Sequence, residues 1–128
     1  MACKAVAKTI RTHFADHFDR APIAWPNVDF EPQPREAWVR LTILDSAGRQ
    51  VATAPPRFRR SGVVVVQVFV PDGTGDAAAR EIADEVARVF QGSTIDGVRF
   101  GASSIEHVGP DGGWFQLNVQ QVFEYEVV

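Results

Sequence analysis

The fold turns on Arg60–Gly92, RSGVVVVQVFVPDGTGDAAAREIADEVARVFQG. Its first half holds four consecutive β-branched residues, Val63-Val64-Val65-Val66. Such a run makes both faces of a strand apolar. The strand is expected from Arg57 to Val70, with helices on one face and a neighbour on the other. Pro71-Asp72-Gly73-Thr74-Gly75 then turns the chain. The period changes from two to 3.6, because Ala79, Ile82, Ala83, Val86 and Phe90 fall on one stripe of a helix over Asp76–Gln91. Arg80, Glu81, Asp84, Glu85 and Arg88 take the opposite face. Asp76 suits the positive end of the helix dipole, and Gly92 suits the left-handed residue that follows a helix.

On the N-terminal side, Val6, Ile10, Phe14 and Phe18 recur every four residues and predict a helix over Ala2–Phe18, ending before Pro22. Ile23-Ala24-Trp25 reads as a short edge strand, and Pro32 and Pro34 exclude a central one after it. Ala37–Asp45 alternates as a strand, and Ser46-Ala47-Gly48 is turn chemistry. Gln50–Pro56 reads as a loop or as the tip of a long hairpin. Beyond Gly92, Thr94-Ile95, Val98–Gly101 and Ser103–Val108 read as strands, with Asp96-Gly97 and Gly109–Gly113 as turns. In Trp114–Val127, Phe115, Leu117, Val119, Phe123 and Tyr125 share one face, and Gln116, Asn118, Gln120, Glu124 and Glu126 the other. The order of helix, strands, helix, strands predicts an α+β fold, a mainly antiparallel sheet with two helices packed on one face, in a single domain over 1–128.

Composition fits that size. With 128 residues, 45% of them hydrophobic and 23% charged, the chain needs no disulfide or metal to close a core. A formal net charge of -3 is neither the basic balance of a nucleic-acid-binding domain nor that of an acidic tail. The one cysteine, Cys3, excludes an internal disulfide and a multi-thiolate zinc site. Met1-Ala2-Cys3-Lys4 leads into no long apolar run, so no signal peptide is expected, and no segment is long enough to span a bilayer.

The search for chemistry gives no catalytic constellation, no cofactor site and no metal site. His13 and His17 stand four apart on a helix, a spacing that can hold a metal, but the accompanying glutamate and a third ligand are missing. Cys3 beside Lys4 lies at a chain end, an odd place for a nucleophile. Gly73-Thr74-Gly75 lacks the lysine of a phosphate loop and sets Asp76 where a phosphate would go. Glu81, Asp84 and Glu85 lie on a solvated helix face rather than in a cleft that shifts pKa. One charge cluster stands out: Arg57, Arg59 and Arg60, with Arg49 across the proposed hairpin. Three readings stay open for it: an acidic surface of a neighbouring subunit, DNA passing through a pore, or a solvated hairpin. Trp25, Trp38 and Trp114 fit either the rim of the core or an interface.

Several phrases, in order, resemble the tail terminator (tail completion) family of long-tailed bacteriophages and prophages. After the N-terminal helix come Pro22–Pro32, Ala37–Leu41, Arg60–Pro71, Gly73-Thr74-Gly75 with its helix, and Pro110–Leu117. The resemblance implies a structural protein with no catalytic residues. It implies a hexameric ring that caps the head-proximal end of the tail tube, stops tube polymerisation and joins the head connector. The implied partners are further copies of the chain, the tail tube protein and the head connector or neck protein, with passive contact to DNA in the lumen and none to membrane. The implied location is the virion tail, assembled in the host cytoplasm. A ring needs two complementary patches per subunit. The densest opposite charges, Arg49, Arg57, Arg59 and Arg60 against Glu81, Asp84 and Glu85, are therefore expected to meet between neighbours. The alternatives are another neck protein and a small dimeric α+β ligand-binding domain or enzyme, which would need a polar pocket between sheet and helices.

Overall fold

The computed structural model describes residues 2–128. Two helices, α1 (Cys3–His17) and α2 (Ala77–Phe90), accompany six strands. These are β1 (Ile23–Ala24), β2 (Trp38–Thr53), β3 (Pro56–Pro71), β4 (Thr94–Ile95), β5 (Val98–Asp111) and β6 (Trp114–Val127). The sheet order is β1-β2-β3-β6-β5-β4. The expected antiparallel pairing holds throughout except at one edge, where β1 lies parallel to β2. The sheet is therefore mixed. It also curls into a half-barrel, rather than forming the plain two-layer α+β arrangement expected. Bulges supply a physical cause, since each extra residue bends its strand and increases the local twist. They fall between Asp45 and Gly48, between Gln50 and Ala52, between Phe100 and Ser103, and between His107 and Gly109.

The same bulges correct two expectations. Ser46-Ala47-Gly48 is not a turn, because β2 absorbs it and runs on to Thr53. Of the two readings open for Gln50–Pro56, a loop or the tip of a long hairpin, the second holds, with Thr53 paired to Pro56 across the tip. The strands expected at Val98–Gly101 and Ser103–Val108 are one strand, β5, which continues to Asp111 so that only Gly112-Gly113 remain as the turn.

Alternation on β3 places Val64, Val66, Val68 and Val70 in the core. Register brings Val39 and Leu41 of β2 and Leu117 and Val119 of β6 beside them. Val6, Ile10, Phe14 and Phe18 join the same core, as do Ala79, Ile82, Ala83, Val86 and Phe90. A line of rings runs through it. Phe18 stacks on Phe14 at 4.8 Å and Phe14 on Phe90 at 5.7 Å; Phe90 meets Phe100 at 5.0 Å. Gln121 is a buried polar exception. Its Nε2 donates to the carbonyls of Gly101 (2.8 Å) and Ala102 (3.3 Å), the groups that the β5 bulge leaves off the ladder.

The opposite face of the sheet, carrying Val63, Val65, Gln67 and Phe69 of β3, is covered at one end only. There Trp38 stacks on Phe69 at 4.1 Å, Trp114 meets Trp38 edge-on, and Phe30 from the 25–37 connection lies against Trp38 at 5.2 Å. The covering expected over both faces of β3 is therefore partial within one chain, and Leu44 and Val122 remain exposed beside Val63.

Candidate interaction surfaces

Residues beyond Asp45 on β2 and before Gly62 on β3 form the outer hairpin, which carries the arginines. Arg49 lies directly opposite Arg59, and like charges in that relation repel. Pairing with β6 offsets this. Glu126 lies opposite Arg59, and Arg59 Nη2 donates to Glu126 Oε1 at 3.1 Å, with Arg57 4.0 Å from the other oxygen. The hydrogen bond from Arg59 is the main reason the Glu126 carboxyl is held below its ordinary value. Two residues away on β6, Arg99 of β5 holds Glu124 at 3.1 Å. Arg49 and Arg60 form no ion pair among the described residues.

The carboxylates on α2 have a partner of their own. Arg20, just past α1, reaches Glu85 at 3.0 Å and Glu81 at 3.2 Å, which raises the arginine pKa further. Asp84 stays free of ion pairs among the described residues. It lines a shallow groove between α2 and β5 with Ala87, Arg88, Gln91, Ser103 and Ile105. Within one chain, then, the hairpin arginines and the α2 carboxylates are not brought together. Arg57 and Arg59 are paired with Glu126, and Glu81 and Glu85 with Arg20. Sequence reasoning missed both of these counter-charges. Glu126 becomes legible once β6 is aligned antiparallel to β3, but nothing in the pattern points to Arg20.

The residues weighed for chemistry are occupied structurally. The rings of His13 and His17 lie 4.1 Å apart, tilted by 32°. His13 Nε2 donates to the Val89 carbonyl at 2.9 Å, and His17 Nδ1 donates to the His13 carbonyl at 2.9 Å. His107 lies on β5, edge-on to Phe115. The described residues contain no group of three or more side chains fit to hold a metal ion. The Asp72–Asp76 turn is closed on itself. Gly73 N–H donates to Asp72 Oδ1, Thr74 Oγ1 donates to the Pro71 carbonyl, and Asp76 pairs with Arg80 at 2.7 Å. Cys3 is exposed at the start of α1. Trp25 packs edge-on against Phe14 at the core rim, whereas Trp38 and Trp114 belong to the second aromatic cluster. No helix among the described residues is long and apolar enough to cross a membrane.

A family model described as phage tail terminator protein matches residues 2–97, three-quarters of the chain. The chain belongs to the phage tail terminator family. Membership makes this terminator-family chain a structural component of the phage tail. The matched segment includes both helices, the whole β2–β3 hairpin with its arginines, and Glu81, Asp84 and Glu85. No curated protein matches the chain. One solved structure superposes on it with a TM-score of 0.73, covering 100% of this chain and 98% of that one at 18% identity. At that identity the likeness concerns the fold, and it extends over β5 and β6, which lie outside the family match.

Proposed function

We propose that this chain forms a ring at the head-proximal end of the phage tail tube, where it stops tube polymerisation and offers the surface to which the head connector or neck protein binds. The observation that carries the reading is the family match, joined to a fold whose exposed features suit contacts between proteins. Among the described residues the core between sheet and helices is filled by apolar side chains, and the polar groove lined by His13, His17, Arg20, Glu85 and Arg88 lies outside that core. In this reading the protein is not an enzyme, it assembles in the host cytoplasm as a hexamer, and DNA crosses the ring without specific recognition.

The hairpin arginines remain candidates for contact with a neighbour or with the tube. Their proposed meeting with α2 carboxylates narrows to Arg49 and Arg60 against Asp84, because the other members have partners in their own chain. Negative-stain electron microscopy of the protein, alone and mixed with the cognate tail tube protein, tests the function directly. Rings of sixfold symmetry, or tubes of limited length capped at one end, are expected. A monomer or dimer that leaves tube growth unchanged would overturn the proposal.

A further inference from the structure

The sheet has two incomplete edges. On one side β1 pairs only with Val39 and Arg40 of β2, so β2 lacks a neighbour beyond them. On the other side β4 pairs only with Val98 and Arg99 of β5. The backbone groups that point outward follow from the hydrogen bonds at each edge. Val39 N–H donates outward to the Pro22 carbonyl at 2.9 Å, so by alternation Ile43 and Asp45 also turn their backbone groups away from β3. Ser103 N–H donates outward to Gln91 Oε1 at 3.3 Å, so Ile105 and His107 turn theirs away from β6. Both edges also expose apolar side chains, Leu44 on β2 and Ile105 and Val108 on β5. Unpaired, apolar edges invite another strand.

We propose that the free edge of β5 in one copy pairs antiparallel with the free edge of β2 in the next, so that neighbouring copies share one continuous sheet. The inference rests on the ring proposed above and identifies its contact. Three features select a second copy as the occupant. First, β2 and β5 run in opposite directions, since each step through β3 and β6 reverses the strand. A copy related by rotation about an axis along the strands therefore meets its neighbour antiparallel. Second, a contact between unlike edges uses both of them at every subunit, whereas pairing β2 with β2 would leave every β5 edge open. Third, the side chains match in one register. With Ile43 opposite Ile105, the two isoleucines share the helix side. Asp45 then comes opposite Ser103, in the α2–β5 groove that contains Arg88 beside Asp84, where the arginine can bridge the two carboxylates. Neither Asp45 nor Arg88 forms an ion pair among the described residues of a single chain.

A charge swap tests the contact. Asp45→Arg and Arg88→Asp are each expected to lower the yield of rings, alone or on tubes, by about tenfold or more through like-charge contact. The chain carrying both substitutions is expected to recover. Thermal melts of the separated chains establish that each variant folds. A second measurement does not depend on charge. In a Cys3→Ser background, an Ile43→Cys chain mixed with an Ile105→Cys chain is expected to form a disulfide between unlike chains, because paired strands bring Cα atoms to about 5.5 Å. Rings that persist in both single charge variants and show no such cross-link would overturn the edge contact while leaving the ring intact. If the unaltered protein assembles neither alone nor with the tube protein, the ring reading falls, and this inference falls with it.

Discussion

At the scale of single residues, two positions show how closely the sheet is fitted. A Cβ on Gly62 would sit 2.6 Å from the Leu44 carbonyl oxygen and 2.6 Å from Phe123 Cζ. The backbone oxygen cannot retreat without breaking the β2–β3 ladder. Gly62→Ala is expected to cost about 1–3 kcal/mol in urea denaturation. Gly48→Ala, where the nearest atom is the flexible Arg60 side chain at 3.7 Å, is expected to change stability much less. Gln121 is the second position. Replacing it with Leu keeps the bulk but removes the side-chain donor from the bulge carbonyls of Ala102 and of Gly101, which keeps only the Gly92 N–H at 3.3 Å, and is expected to cost about 1–3 kcal/mol by the same measurement. A Gln121→Leu variant as stable as the parent would mean that water reaches the bulge. Gln121 could not be foreseen from the alternation of β6. It occupies a core position in a strand otherwise apolar on that face, and only the bulge in its neighbour explains a polar side chain there.

At the scale of elements, the hairpin and the last strand are tied by charge. Glu126 has its carboxyl lowered from an ordinary 4.5, chiefly by the hydrogen bond from Arg59. A carboxyl depressed in the folded state adds stability above its unfolded pKa, and that stability is lost as pH falls through the folded pKa. The hairpin should therefore loosen on acidification below the ordinary carboxylate range. Arg59→Ala is expected to move the Glu126 titration, followed by NMR, back up toward its ordinary value. An unmoved titration would show that the pair seen here is not populated in solution. The elements themselves were largely legible. Both helices follow from their four-residue and 3.6-residue spacing, and β6 from a period of two held over fourteen residues. The outer half of β2 was not, because Ser46-Ala47-Gly48 has the composition of a turn. A bulge accepts such residues in mid-strand when the partner strand continues opposite them. The ion pairs that occupy Arg59 and Glu81 were hidden for a related reason. They depend on which elements become neighbours, and a one-dimensional pattern does not carry that information.

For the whole molecule, the helices and the curled sheet share one core, and Phe90 lies where the two helices and β5 converge. Phe90→Ala is expected to cost about 3–5 kcal/mol and to lower the melting temperature of the whole domain in a single transition. Separate melting of α1 would show that the first helix is only loosely docked. The sheet order has a further consequence, which concerns time rather than space. The strand latest in chain order, β6, lies in the interior of the sheet, between β3 and β5. As the chain emerges from the ribosome, the β2–β3 hairpin can zip up early, because its two strands adjoin in sequence. It then waits with one flank bare until more than forty further residues have been made. A nascent chain interrupted anywhere before Trp114 holds two partial sheets with nothing between them. Translation of the last strand thus acts as the latch on folding, because only β6 joins the two halves of the sheet.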